Sequence, residues 1–314
     1  MVHMDLRVVF MGSPDFALPT LGALADAFDV IGVVTQPDRP AGRGHKLRPP
    51  EVKTLAIKLG LPVIQPPSLK DPQTIAELRK MAPDVIVVAA FGQILRPDVL
   101  ALPRHGCVNV HASLLPRWRG AAPVQAAVLH DDVTGVTIMK MDRGLDTGPI
   151  LSQRAVPIRD TVTAGELFDE LAQLGAELLI ETLPRYVSGE IRPRPQDDAE
   201  ATYAPRLSTA DGELDFNQPA DFLARMVRAY NPWPGTFSNV DGVRLKVFQA
   251  HSVQKMDVIP AKRYIIDEQP AWGTADGVLV LDEVQAAGKE RMPGRDFLRG
   301  VRDWTEFEEK IEPE

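Results

Sequence analysis

Leu6-Arg7-Val8-Val9-Phe10-Met11 is a nearly unbroken apolar run closed by Gly12. A run this short and this apolar reads as a strand buried on both faces, the kind found in parallel sheets. Val30-Ile31-Gly32-Val33-Val34-Thr35 and Asp84-Val85-Ile86-Val87-Val88-Ala89-Ala90 repeat the pattern, and residues 107–111 predict a further strand. Helical periodicity lies between these runs. Val52, Leu55, Ala56 and Leu59 recur at i, i+3, i+4 and i+7 within residues 50–59, with Gly60 placed to end the helix. A short strand is predicted at 62–64. Asp71-Pro72 then offers an N-cap acid and a proline at the first helical position. Thr163 and Glu166 form a capping-box pattern ahead of a helix running to about residue 183. Strands alternating with helices predict βαβ crossovers, hence an α/β fold with a doubly wound, mainly parallel sheet of Rossmann type.

The pattern changes after residue 187. Pro193, Pro195 and Pro205 surround the acids Asp197, Asp198 and Glu200, and this stretch reads as a linker. Beyond it Leu223, Met226, Val227 and Tyr230 make one helical stripe, stopped by Asn231-Pro232-Trp233-Pro234-Gly235. An Asp241-Gly242 turn precedes Val243, Leu245 and Val247, which alternate with Arg244 and Lys246. Asp276-Gly277 precedes another apolar run. Short strands with turn signals predict a small OB-like β-barrel. The expected division is 1–189 for the α/β domain, 190–208 for the linker and 209–314 for the barrel. A chain of 314 residues favours two domains in any case.

Apolar residues make up 44% and charged residues 25%, the balance of an ordinary soluble globular chain. The single cysteine, Cys107, excludes an intrachain disulfide and suits a reducing compartment. No apolar run approaches membrane-spanning length, so a cytoplasmic protein without membrane attachment is expected; a monomer is the separate expectation for its assembly. The net charge of −8 argues against broad nucleic-acid binding. Residues 35–53 depart from it: Arg39, Arg43, Lys46, Arg48 and Lys53 face only Asp38 and Glu51, a net of +3. This stretch has almost no apolar residue before Leu47 and reads as an exposed surface loop.

Three polar residues are candidates for a reaction centre. Strand alternation points Asn109 and His111 to one side of the strand 107–111. Asp146 lies in the glycine-punctuated segment Asp142-Arg143-Gly144-Leu145-Asp146-Thr147-Gly148. Spacing alone leaves two readings open. Asn-x-His is more often a packed, hydrogen-bonded pair, and both aspartates could be plain turn formers. A metal site from His111 and the aspartates lacks the accompanying His or Cys spacing. Gly12-Ser13-Pro14 is not the glycine fingerprint of a dinucleotide site, which disfavours a nicotinamide-dependent dehydrogenase. Cys107 beside the site reads as a small buried residue rather than a nucleophile.

The run from Asn109 to Gln125, Asn-Val-His-Ala-Ser-Leu-Leu-Pro-Arg-Trp-Arg-Gly-Ala-Ala-Pro-Val-Gln, resembles the signature of folate-dependent formyltransferases. Asp142-Arg143-Gly144-Leu145-Asp146-Thr147-Gly148-Pro149 resembles their second signature. Three further segments resemble the branch that formylates methionyl initiator tRNA. They are Met11-Gly12-Ser13-Pro14-Asp15-Phe16-Ala17, Thr35-Gln36-Pro37-Asp38-Arg39-Pro40-Ala41-Gly42-Arg43-Gly44, and Ala229-Tyr230-Asn231-Pro232-Trp233-Pro234-Gly235 with Ala287-Gly288-Lys289. The resemblance spans nearly the whole chain in order. It implies a transferase that uses 10-formyltetrahydrofolate as formyl donor, without metal, and serves translation initiation.

The resemblance also implies site residues. Asn109 and His111 would stabilise the oxyanion of a tetrahedral intermediate, with Asp146 handling a proton, and their donors and acceptors suit those tasks. The pterin would lie in a slot between Phe91, Gly92, Gln93, Ile94 and Leu95 on one side and Met141 and Asp142 on the other. Ser113, Leu114, Leu115 and Pro116 would follow the folate tail. Arg39, Arg43, Lys46 and Arg48, with Arg244 and Lys246 of the barrel, would meet the tRNA. The barrel departs from its relatives here, since residues 209–314 hold 13 basic and 19 acidic side chains, a net of −6. Rival expectations are the same folate chemistry on an amino-sugar nucleotide, a formyltetrahydrofolate hydrolase using water, and a non-catalytic RNA-binding protein. The basic stretch 35–53 speaks against a small acceptor, and the Asn109, His111, Asp146 set against a non-catalytic role.

Overall fold

The computed structural model describes residues 6–41, 46–301 and 304. The elements follow the expected alternation: β1 (Arg7–Gly12), α1 (Ala17–Ala27), β2 (Asp29–Val34), β3 (Arg39–Ala41), β4 (Lys46–Arg48), α2 (Glu51–Lys58), β5 (Val63–Ile64) and α3 (Pro72–Met81). Then come β6 (Val85–Ala89), α4 (Pro97–Leu100), β7 (Cys107–His111), β8 (Arg119–Gly120), α5 (Pro123–His130), β9 (Val133–Lys140), β10 (Ile150–Pro157) and α6 (Ala164–Val187). The remainder comprises β11 (Tyr203–Ala204), α7 (Ala220–Ala229), β12 (Thr236–Val240), β13 (Val243–Val253), β14 (Arg263–Ile266), β15 (Gln269–Gly273), β16 (Val278–Ala286), β17 (Met292–Pro293) and α8 (Gly294–Arg299).

Contacts divide the described chain into two units that interleave in sequence. One holds residues 1–123, 133–157 and 168–204; the other holds 124–132, 158–167 and everything from 205. The first unit carries a seven-stranded sheet in the order β10-β9-β7-β6-β1-β2-β5. The five strands from β7 to β5 are parallel, and β9 and β10 are antiparallel additions at one edge. β6 is buried along its whole length and β1 along all but its first residue. Val9, Met11, Val34, Ile86 and Val88 join Leu69, Leu78, Phe91, Leu95 and Val99 in one core cluster. Chain order reverses between β1 and β6, so the loops after them diverge and leave a crevice at the carboxyl edge of the sheet.

Local signals act as read. The Asp71 side chain accepts from Gln73 N at 3.1 Å and starts α3. Thr163 and Glu166 cap α6 reciprocally, at 2.8 Å and 3.3 Å. α6 runs on past residue 183 to Val187 because Pro184 forfeits only its own N–H, and its carbonyl still receives Ser188 N at 3.0 Å. Residues 35–53 are not a bare loop. β3 and β4 pair as a hairpin, its base gripped by Asp38, which accepts from Lys53 Nζ at 2.8 and 2.9 Å and Gln65 Nε2 at 2.7 Å.

The second unit is built on an antiparallel sheet ordered β12-β13-β16-β15-β14, with β17 also on β16. α7 lays Leu223, Met226 and Val227 onto Leu245, Val247, Leu279, Leu281 and Val284. Trp272 stacks on Phe216 with ring centroids 4.6 Å apart. Residues 124–132 and 158–167 attach through α7: Arg225 pairs with Asp132 at 2.7 Å, and Arg228 donates to Val162 O at 3.2 Å.

Candidate active site

β7 ends at the carboxyl edge of the first sheet, and its period of two turns Asn109 and His111 to the same face. Both are buried, at 8% and 6% exposure. Among the described residues the Asn109 carboxamide has no hydrogen-bond partner; the residue is largely covered, but its amide is not among the side-chain polar atoms shut off from solvent, so its N–H groups are available. His111 Nε2 lies 3.1 Å from Trp118 O. A carbonyl only accepts, so that bond puts the hydrogen on Nε2 and leaves Nδ1 as the reactive nitrogen. Nδ1 is 3.9 Å from Asp146 Oδ1, beyond direct hydrogen bonding.

The segment that follows β7 is tightly held. Thr137, opposite His111 on β9, donates to Ser113 O at 2.7 Å and receives Leu115 N at 3.0 Å and Gln153 Nε2 at 3.0 Å. Ser113 Oγ donates to Arg117 O at 2.7 Å. Ser113 and Leu115 are therefore buried and Leu114 and Pro116 only partly so. Gly120, at φ +117°, crosses so close to β11 that a Cβ would stand 2.5 Å from Ala204 O. Only glycine fits there.

Asp146 sits in the left-handed region, at φ +54°. Its Oδ2 accepts from Gly120 N at 2.9 Å, while Oδ1 faces His111. Asp142 behaves differently: its Oδ1 takes Gly144 N at 3.0 Å and Thr147 Oγ1 at 2.7 Å, so it shapes the loop. Met141 extends the β7 pairing, with its N donating to Cys107 O at 2.8 Å, and packs on the core cluster that contains Phe91 and Leu95.

The segment after β6 splits by role. Phe91 and Leu95 are core, Gly92 turns the chain at φ +80°, and Ile94 is 83% exposed. Gln93 Oε1 accepts from Leu69 N at 3.0 Å. Ser13 Oγ accepts from Gln36 N at 3.1 Å, and Gln36 Nε2 donates to Phe91 O at 3.1 Å. These bonds tie together the ends of β1, β2 and β6. Burial pushes the Cys107 thiol up to about 12, against the opposing pull of Lys140, so it stays neutral and unreactive at ordinary pH.

The basic candidates separate. Arg39 and Arg48 oppose each other across the hairpin; Arg39 donates to Gln36 Oε1 at 3.1 Å and Arg48 pairs with Glu51 at 3.2 Å. Arg43 lies outside the described residues, as does the side chain of Lys46. Arg244 and Lys246 belong to the second unit, on the exposed face of β13, with Arg244 over the Phe237 ring at 3.8 Å. Two residues that sequence reasoning missed are Arg119, only 2% exposed, and Gln196, which touches the backbone of the Asp146 loop. Arg119 stands inside the signature run but carries no local sign of burial, and Gln196 gives none within a proline-rich stretch. Among the described residues no helix is long and apolar enough to cross a membrane.

A doubly wound sheet carrying Asn109 and His111, with Asp146 3.9 Å from His111, is followed by an antiparallel domain, and both parts match formyl transferases. Residues 6–183 match the formyl transferase family model, and residues 206–302 match the model of the formyl transferase C-terminal domain. The methionyl-tRNA formyltransferase of Roseiflexus castenholzii (strain DSM 13941 / HLO8) is 50% identical over 304 residues, covering 95% of this chain and 97% of that protein. The chain belongs to the methionyl-tRNA formyltransferase family. Its fold is shared with more distant solved structures. The N-formyltransferase from Helicobacter canadensis, solved with folinic acid and dTDP-3-aminofucose, superposes with TM-score 0.65 at 17% identity, over 90% of this chain and all of that one. HypX from Aquifex aeolicus, solved with tetrahydrofolic acid, gives TM-score 0.60 at 18% identity over 94% of this chain, which spans 47% of it.

Proposed function

We propose that this chain transfers the formyl group of 10-formyltetrahydrofolate to the α-amino group of methionyl initiator tRNA, as a cytoplasmic monomer serving translation initiation. The amine attacks the formyl carbon and gives a tetrahedral oxyanion with a positively charged nitrogen. The nitrogen then loses a proton, N10 of the folate gains one, and the C–N10 bond breaks to leave formylmethionyl-tRNA and tetrahydrofolate. A free α-amino group has a pKa of about 7.7–8.0, so deprotonating the nucleophile is a small task near neutrality. Positioning and oxyanion stabilisation carry the barrier.

Asn109 donates its unpartnered amide N–H to the oxyanion. His111, fixed by Trp118 O on Nε2, presents Nδ1 to the same centre. Asp146 Oδ1, 3.9 Å from that nitrogen, takes the amine proton through an intervening water and passes it toward N10. The folate lies along the backbone of residues 91–95, with Met141 and Asp142 opposite and residues 113–116 along its tail. Arg39, Arg43, Lys46 and Arg48 receive tRNA phosphate, with Arg244 and Lys246 as a second track. The observation that carries the reading is the unpartnered Asn109 amide on the same strand face as His111, whose Nδ1 lies 3.9 Å from Asp146. The test is incubation with 10-formyltetrahydrofolate and methionyl-tRNA. Formylmethionyl-tRNA is the expected product; turnover only with water or with an amino-sugar nucleotide as acceptor would overturn the assignment.

A further inference from the structure

Asp146 sits in the left-handed backbone region at φ +54°, which residues other than glycine seldom adopt, and a bond from outside its loop would hold it there. Gln196, fifty residues away, does so. Its Nε2 donates to Asp146 O at 2.8 Å and to Gly148 O at 2.7 Å. Its Oε1 accepts from Arg119 Nε at 3.0 Å and Nη2 at 2.9 Å. A guanidinium only donates, so Arg119 fixes which end of the amide faces the loop. Arg119 is anchored in turn by Asp198, 2.7 Å from Nη2. Burial works against its charge, but bonds to Asp198 and Tyr203 hold its pKa above the ordinary value. The next residue, Gly120, gives its N–H to Asp146 Oδ2 at 2.9 Å. One short segment thus fixes the carboxylate directly and the backbone beneath it through Gln196.

We propose that Gln196 is a positioning residue for formyl transfer: with Arg119 and Asp198 it straps the Asp146 loop so that Oδ1 faces His111 Nδ1. The inference rests on Asp146 acting in the reaction. It assigns a task to the proline-rich stretch after α6, whose Gln196, Asp198 and Tyr203 all pair with Arg119.

Gln196→Glu separates positioning from folding. Glutamate keeps a charge-assisted partner for Arg119, yet sets a carboxylate oxygen against two carbonyls in place of a donor. Gln196→Met keeps the shape and removes the donor without adding charge. Both should lower kcat about 10- to 100-fold, the scale of an ångström's misplacement of a reacting group. KM for 10-formyltetrahydrofolate should stay within about twofold, on the same reasoning that the strap touches the Asp146 loop and not residues 91–95. In the pH profile of kcat, the limb that disappears in Asp146→Asn should be displaced in Gln196→Glu. Near-normal kcat in both Gln196 variants, with kcat of Asp146→Asn lowered by orders of magnitude, would overturn the strap while leaving the catalytic reading intact. A loss of kcat that only tracks a lower melting temperature, with an unmoved pH profile, would also overturn it. Full activity of Asp146→Asn would overturn the catalytic reading, and the strap with it.

Discussion

At the scale of single residues, burial sets what each polar group can do. The Asn109 amide has no partner among the described residues, so removing it leaves no orphan behind and deletes only what it would offer the proposed intermediate. Asn109→Ala should therefore raise the barrier by about 3–4 kcal/mol, the usual value of an oxyanion donor. His111→Ala and Asp146→Ala should act in the same direction, and all three should bind folate nearly as the parent does. Steady-state kinetics alongside equilibrium binding of tetrahydrofolate checks this, and near-normal turnover of His111→Ala sinks the assignment. Cys107 is the opposite case. Its thiol ordinarily ionises near 9.0, and burial raises it to about 12 in the folded chain. A thiol reagent at pH 8 should leave it unlabelled until denaturant is added. The folded state holds this proton more tightly, so Cys107 makes stability fall as pH rises between those two values. Replacing it with alanine should flatten that part of a pH–stability curve.

At the scale of elements, the β3–β4 hairpin joins charge to a defined frame. Hydrogen bonds from Gln65 and then Lys53 hold the Asp38 carboxyl below its usual range, so this clamp persists through neutral pH and is lost only on acidification. Asp38→Ala should loosen the base of the hairpin and raise KM for methionyl-tRNA several-fold, leaving KM for the formyl donor unchanged. Arg43, flanked by Gly42 and Gly44 in the sequence between β3 and β4, should matter more. Arg43→Ala should lower kcat/KM for tRNA, and Arg43→Lys should not fully restore it, because a guanidinium pairs with phosphate through two parallel bonds and an ammonium through one. Trypsin supplies an independent check. Arg39 and Arg48 precede prolines and should resist cutting, whereas the bonds after Arg43 and Lys46 should be cut quickly and be protected by methionyl-tRNA. Unchanged cleavage with tRNA, together with normal tRNA formylation by Arg43→Ala, would remove the hairpin from the tRNA site.

At the scale of the whole molecule, the two units interleave. Leu129 of α5 packs against the core formed by α7, β13 and β16, and Arg225 of α7 pairs with Asp132. A fragment ending near residue 207 keeps the Gln196 strap and β11 but strips α5 of that apolar cover. It should melt at a lower urea midpoint than the catalytic part of the intact chain, by far-ultraviolet circular dichroism, and keep weak formyltetrahydrofolate hydrolysis. An unchanged midpoint would mean that α5 does not depend on the part of the second unit beyond residue 207. The acidity of that unit is concentrated at its end: residues 305–314, beyond the buried Trp304, hold five acids and one base, so they supply −4 of the −6 counted from residue 209. Trimming this stretch should strengthen tRNA binding if it acts only through charge, read as a lower KM at low salt.

What the sequence determined by itself was local. The apolar runs of β1, β2 and β6 specified buried parallel strands, because a strand covered on both faces has no polar side to show. Asp71 and the Thr163–Glu166 pair marked helix starts, since a cap needs only residues within one turn. The period of a strand put Asn109 and His111 on one face before any packing was known. The tertiary structure decided what depends on distant partners. It brought Asp146 to 3.9 Å from His111, and it showed Asp142 shaping its own loop through Gly144 N and Thr147 Oγ1. It also buried Arg119 and drew Gln196 out of an apparent linker to hold the Asp146 backbone. A side-chain amide reaching a carbonyl fifty residues away leaves no periodicity in the chain, so only the folded backbone reveals it.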